Sequence, residues 1–179
     1  MARKGKPKAP KPPKRIPYTF LPPEEPDGSV PEPYRQTGQL TAAHHAHLVE
    51  ARICVVWARG WKPDKDEERV LGKAKKASDF DRELRDWDFV ILLNEVAWTH
   101  LEPLQRRALV DHELCHCAAA LDPETGDQLE DERCRPVWRI RKHDLEEFRE
   151  VVERNGLYKD DLARFASACA AKVKHLPPR

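Results

Sequence analysis

His112 and His116 stand four residues apart, and a glutamate, Glu113, directly follows the first of them. At about 100° per residue, four residues turn ~400°, so on a helix the two imidazoles lie ~40° apart and one turn displaced. Rings placed in this way can reach one metal ion. Zinc suits imidazole ligands, and a catalytic zinc site takes three protein ligands and leaves its fourth position to water. Glu113 would stay outside the ligand set as a general base, taking a proton from the activated water, which then attacks a polarised carbonyl. Hydrolysis of this kind is what an H-E-x-x-H pattern implies. The competing reading is two histidines and a glutamate on the solvated side of a helix.

Such a site needs a third ligand. His143 lies 27 positions beyond His116, at the mouth of an expected helix and after an expected strand, so the chain can fold back to present it. Glu132, in Glu130-Asp131-Glu132, is the alternative and would make a two-histidine, one-carboxylate site; both ligand sets support hydrolysis. His143 is preferred, because the acidic run reads as a solvated turn. Cys115 and Cys117 flank His116 but sit about 60° and 140° from His112 around a helix, so they cannot join it on one ion. His44, His45 and His47 lack the four-residue spacing and read as surface or packed histidines.

These residues need a scaffold. Thr99-His100-Leu101-Glu102 matches a capping box with Pro103 in the first turn, opening a helix predicted to run through Leu101, Leu104, Ala108, Cys115 and Ala119 to about Ala120. Asp88–Asn94 is apolar between polar ends, a strong strand able to lie along a cleft and hold an extended peptide. Val70–Ala77 is a weaker strand, and Ser78-Asp79 reads as a helix N-cap. A helix is expected from Thr41, with Ile53–Trp57 either continuing it or starting a strand. Pro136–Ile140 reads as a short strand. Asp144 and Glu147 mark a helix that Asn155-Gly156 closes, and a last helix from about Asp161 should bury Leu162, Phe165, Ala166, Cys169 and Val173. Asn94, Trp98 and Trp138 are cleft candidates, with core packing the preferred role for the tryptophans.

The chain has 179 residues, 35% of them charged, which suits one modest domain with a heavily charged surface. The longest apolar run, Phe89–Leu93, is far too short to span a bilayer, and the basic N-terminus has proline where a signal peptide has its apolar stretch. Five cysteines without a secretion signal argue for reduced thiols, mostly buried, and a cytoplasmic setting. Seven basic residues, Arg3 to Arg15, precede the first acid, Glu24; removing them from the 32 basic residues leaves 25 against 31 acids, a net −6. Residues 1–36 therefore read as a disordered, basic, proline-rich tail, and residues 37–175 as the folded domain. The tail is either a weak, non-specific nucleic-acid contact or a solubilising segment.

The stretch from Val70 to Tyr158 resembles the phage metallopeptidase family. The landmarks are Gly72-Lys73-Ala74-Lys75-Lys76, Asp88-Phe89-Val90-Ile91, Asp111–Cys117 and Arg141–Phe148. The segment His112–His116 is also similar to that of the SprT-like proteases, in which a later histidine completes the site. The resemblance implies zinc, His112 and His116 as ligands, Glu113 as the catalytic residue and His143 as the third ligand by analogy; the cytoplasmic setting would be the host's if the chain is phage-encoded. The expected fold is a compact α+β, zincin-like domain with a small sheet packed on helices. The expected function is zinc-dependent hydrolysis of protein or peptide substrates, with no membrane partner. The rival readings are a nucleic-acid-associated protease directed by the basic tail and a non-enzymatic module with structural zinc. The intact Glu113 argues against the last, since a structural ion needs no base.

Overall fold

The computed structural model describes residues 18–61, 70–145 and 149–173. In chain order the elements are β1 (Tyr18–Phe20), α1 (Glu32–His44), one 3-10 turn (Ala46–Leu48), β2 (Ile53–Ala58), β3 (Gly72–Lys76), α2 (Asp79–Arg85) and β4 (Phe89–Asn94). Then come α3 (Glu95–His100), α4 (Pro103–His116), β5 (Cys117–Ala119), β6 (Trp138–Ile140), α5 (Arg149–Asn155) and α6 (Asp160–Val173). The fold is α+β, as expected. It divides into two units, one ending at Ile140 and one starting at Arg141.

The first unit is built on a four-stranded sheet of order β1-β2-β4-β3. The apolar run of β4 suits an inner strand, since both its faces are covered. It pairs in parallel with β2, Val55 opposite Ile91, and antiparallel with β3, Ala74 opposite Ile91. It is therefore not the expected edge strand; the edges of the sheet are β1 and β3. Ser78 caps α2 by accepting from the Asp81 N–H, and Asn94 caps α3 by accepting from that of Ala97. Arg82 and Asp88, both nearly buried, pair at 2.8 Å, and Arg82 also donates to the Pro136 carbonyl, so α2, β4 and the approach to β6 are tied together.

The core joins Val110 and Leu114 of α4 to Leu40, Leu48, Val55, Phe89, Ile91 and Leu93. Burying each such side chain stabilises the fold by ~1.5–3 kcal/mol. Trp138 packs edge-on against Phe89, ring centroids 5.5 Å apart, and Trp98 is also buried, so both tryptophans are core residues. A second, two-stranded sheet pairs β5 with β6 and sets Cys117 opposite Ile140.

Several expectations are corrected. Residues 18–36 do not behave as a tail: β1 pairs with β2, and α1 starts at Glu32 with Pro33 in its first turn, where the missing N–H has no partner to lose. The seven early cations lie outside the described residues. The helix expected from Thr41 instead ends at His44, and Ile53–Ala58 is a strand. The capping box of α4 is Glu102 with Gln105, because Thr99 belongs to α3. Helix α4 stops at His116 rather than near Ala120, since Cys117 turns extended and begins β5. Its buried stripe is Val110, Glu113 and Leu114; Leu104 is 75% exposed and Cys115 is exposed. Only Cys54 and Cys117 of the five thiols are buried.

In the second unit Leu162 is buried, whereas Phe165 and Cys169 are exposed, contrary to the expected stripe of α6. Gly156 takes a positive φ of 67° just after α5, as a helix-ending glycine does. The capping position Glu147 lies outside the described residues. Among the described residues no helix is long and apolar enough to cross a membrane.

Candidate metal centre

Helix α4 places the histidine pair. Glu102 and Gln105 cap it reciprocally, and Pro103 occupies the first turn, so these residues set where it starts. Val110 and Leu114 anchor its inner face in the core. The ring nitrogens His112 Nε2 and His116 Nε2 then converge to 3.3 Å, with the ring planes at 81°. Two nitrogens bound at ~2.05 Å to one tetrahedral zinc ion stand about 3.3 Å apart, so the pair already has the spacing of two ligands on one ion.

Glu113 shares the buried stripe and is only 3% exposed. Its carboxylate accepts from the backbone N–H of Ala74 on β3. Gly72, two residues earlier on that strand, leaves the space it fills: a Cβ there would stand 2.4 Å from Glu113 Oε1 and 2.9 Å from its carboxyl carbon. The other oxygen, Oε2, is fully buried with no hydrogen-bond partner. An unpartnered buried carboxylate oxygen is costly, and its position one residue from a candidate ligand would suit a base acting on a water at a bound ion. Burial raises the pKa of Glu113, against the opposing influence of His116 and the Ala74 N–H. The chemistry of the donor set and this orphaned oxygen therefore fit a bound zinc.

Of the residues expected at the site, His112, Glu113 and His116 come together on α4. Glu132 is exposed in a turn, held near Asp131, whose carboxyl is depressed to about 2, chiefly by the Arg135 backbone N–H. Among the described residues Glu132 joins no converging group of ligand atoms. His143 is exposed and lies in the second unit, three residues beyond Ile140. Asp144, a candidate helix cap, pairs with Arg141. Asn94 is buried and serves as the α3 cap rather than a cleft group.

Sequence reasoning missed the role of Gly72 and Ala74. The available signal was two small residues alternating in a strand, the pattern that leaves room for a close approach. It also missed that His47 contacts the Cys117 carbonyl at 3.1 Å and that His45 contacts Asp111 at 2.7 Å. Cys117 itself is held inert by burial, which pushes its thiol up to about 12 with added repulsion from Glu113 and Cys115.

An α+β domain with convergent helix-borne imidazoles and a buried carboxylate belongs to the class that could carry metal-dependent chemistry. The family model described as "Putative phage metallopeptidase" matches residues 30–170, and the chain belongs to that family. The family name implies a metal and a peptide substrate. No curated protein and no solved structure matches the chain.

Proposed function

We propose that the chain is a zinc-dependent peptidase in which His112, His116 and His143 hold the ion and Glu113 is the general base. One observation carries this reading: imidazole nitrogens 3.3 Å apart beside a buried carboxylate that has one oxygen without a partner. When bound, zinc would supply a water of lowered pKa and polarise the substrate carbonyl. The chain's own part is to place and move a proton. The Ala74 N–H steadies the Glu113 carboxylate, the second oxygen accepts the proton from the attacking water, and the same carboxyl returns a proton to the leaving amine.

His143 is proposed as third ligand from its place in the sequence, 27 positions beyond His116 and after β6. The zinc also accounts for Glu113 better than a purely structural ion does, since a structural ion has no use for an unpaired buried carboxylate.

Glu113→Gln tests the reading. The variant should keep the zinc held by the histidines and lose ~10²–10⁴-fold in peptide hydrolysis, the usual contribution of a general base. His143→Ala in the same assay should weaken zinc retention against a chelator far more than Glu132→Ala. A Glu113→Gln protein that cleaves as fast as the wild type overturns the role of the base, and the reverse ranking of the other two transfers the third ligand to Glu132.

A further inference from the structure

We propose that His45, Asp111 and Cys115 form a second metal site, for a divalent cation of the zinc class, which staples the end of α1 to α4. One ligand atom from each of the three lies within 4.8 Å of the others. Asp111 and Cys115 repeat the four-residue spacing of the histidine pair, one position earlier on the same helix. That offset turns them ~100° around α4 from His112 and His116, so the two sets address different ions.

The third ligand comes from outside the helix, which is why spacing within one segment did not reveal it. His45 follows α1 directly, with its backbone N–H bonded to the Leu40 and Thr41 carbonyls. Its side chain is only 7% exposed and already meets Asp111, Nε2 to Oδ1 at 2.7 Å. The His47 ring packs edge-on against it at 6.0 Å, and His47 is itself held on the Cys117 carbonyl. One wall of the site is thus buried and braced, while half-buried Asp111 and exposed Cys115 form its solvent-facing rim.

A thiolate, an imidazole and a carboxylate select zinc or cobalt over magnesium or calcium, which take oxygen ligands only. Around a tetrahedral zinc ion, nitrogen, oxygen and sulfur donors stand ~3.3–3.7 Å apart. The His45–Asp111 contact has to open by about half an ångström and the Cys115 sulfur has to close by at most about one, both within reach of a side-chain rotation. The proton balance is simple. Cys115 releases its thiol proton to solvent, and neutral His45 moves its proton from Nε2 to Nδ1 so that Nε2 can bind the ion. Three protein ligands leave one position for water.

The site is separable from the catalytic one because it alone contains sulfur. Metal-free full-length protein is titrated with Co2+ alone, and the near-ultraviolet thiolate-to-cobalt charge-transfer band is recorded. The wild type should take up two cobalt ions and show the band. Cys115→Ser should lose the band and one cobalt while keeping the visible absorption of imidazole-bound cobalt. Asp111→Asn, a milder change at a half-exposed residue, should weaken the band's cobalt affinity at least tenfold and serves as the second variant if Cys115→Ser folds poorly. Cys134→Ser and Cys169→Ser should keep the band. A wild type without the band, or a band that survives Cys115→Ser or depends on Cys134 or Cys169, overturns the second site. Failure of the histidine site would instead leave the band with one cobalt per chain, and His112→Ala would change neither.

Discussion

Strands β3 and β4 lie side by side in one sheet and do opposite work. In β4, Phe89, Ile91 and Leu93 are essentially inaccessible, and the strand is paired on both edges. Of the residues of β3 only Ala74 is buried, and the lysines beside it are exposed. What β3 contributes is an absence: without a side chain at Gly72 and with only a methyl at Ala74, the Glu113 carboxylate can lie against its backbone. One strand holds the sheet together and the other shapes the space for Glu113, the proposed base. Stability and catalysis should therefore separate between neighbours about one strand spacing apart.

The strongest way to break that division is a cavity in β4. Leu93→Ala removes a fully buried side chain from the core beneath α4, and such changes cost ~2–5 kcal/mol. Urea unfolding should show the loss, and hydrolysis per folded molecule should persist. A variant with wild-type stability would mean that the core does not depend on β4. Gly72→Ala is the converse experiment. Its Cβ would meet Glu113 Oε1 at 2.4 Å, and the carboxyl, as the far end of a flexible side chain, yields more cheaply than backbone. A base displaced by about 1 Å loses up to ~10²-fold in rate, so kcat should fall that far while the thermal midpoint stays near the wild-type value. If activity survives intact, Gly72 does not govern where the base sits.

The same contrast explains what could be read in advance. β4 announced itself because an uninterrupted apolar run between polar ends has few other folds open to it. α4 was legible from the four-residue spacing of His112 and His116 and from proline in its first turn. Its boundaries and inner face were not: Leu104 and Cys115 match a helical stripe as well as Val110 and Leu114 do, and only the position of the sheet decides between them. Pro31-Glu32-Pro33 falls within the stretch that reads as a tail, although proline in a first helical turn costs nothing there, and α1 begins at that point. His45 lacks the four-residue spacing and so reads as a surface or packed histidine, while its neighbours Asp111 and Cys115 lie more than sixty residues away, a proximity that no local periodicity encodes.

The smallest expected effect sharpens the comparison further. Lys75 lies between Ala74 and Lys76 on β3, opposite Val90 in the sheet, and is exposed. Side chains alternate along a strand, so while Gly72 and Ala74 turn toward α4, Lys73 and Lys75 turn to the other face. Lys75→Ala should change stability by less than ~0.5 kcal/mol, as exposed substitutions away from caps and core do. Hydrolysis should be unchanged as well, because the part β3 plays at the base is played by its backbone and by the missing Gly72 side chain. Paired measurements of urea stability and kcat/KM on the purified variant check both halves. A fall in kcat/KM at unchanged stability would show that the outward face of β3 contacts substrate, and the strand would then act through its side chains as well as through its lack of them.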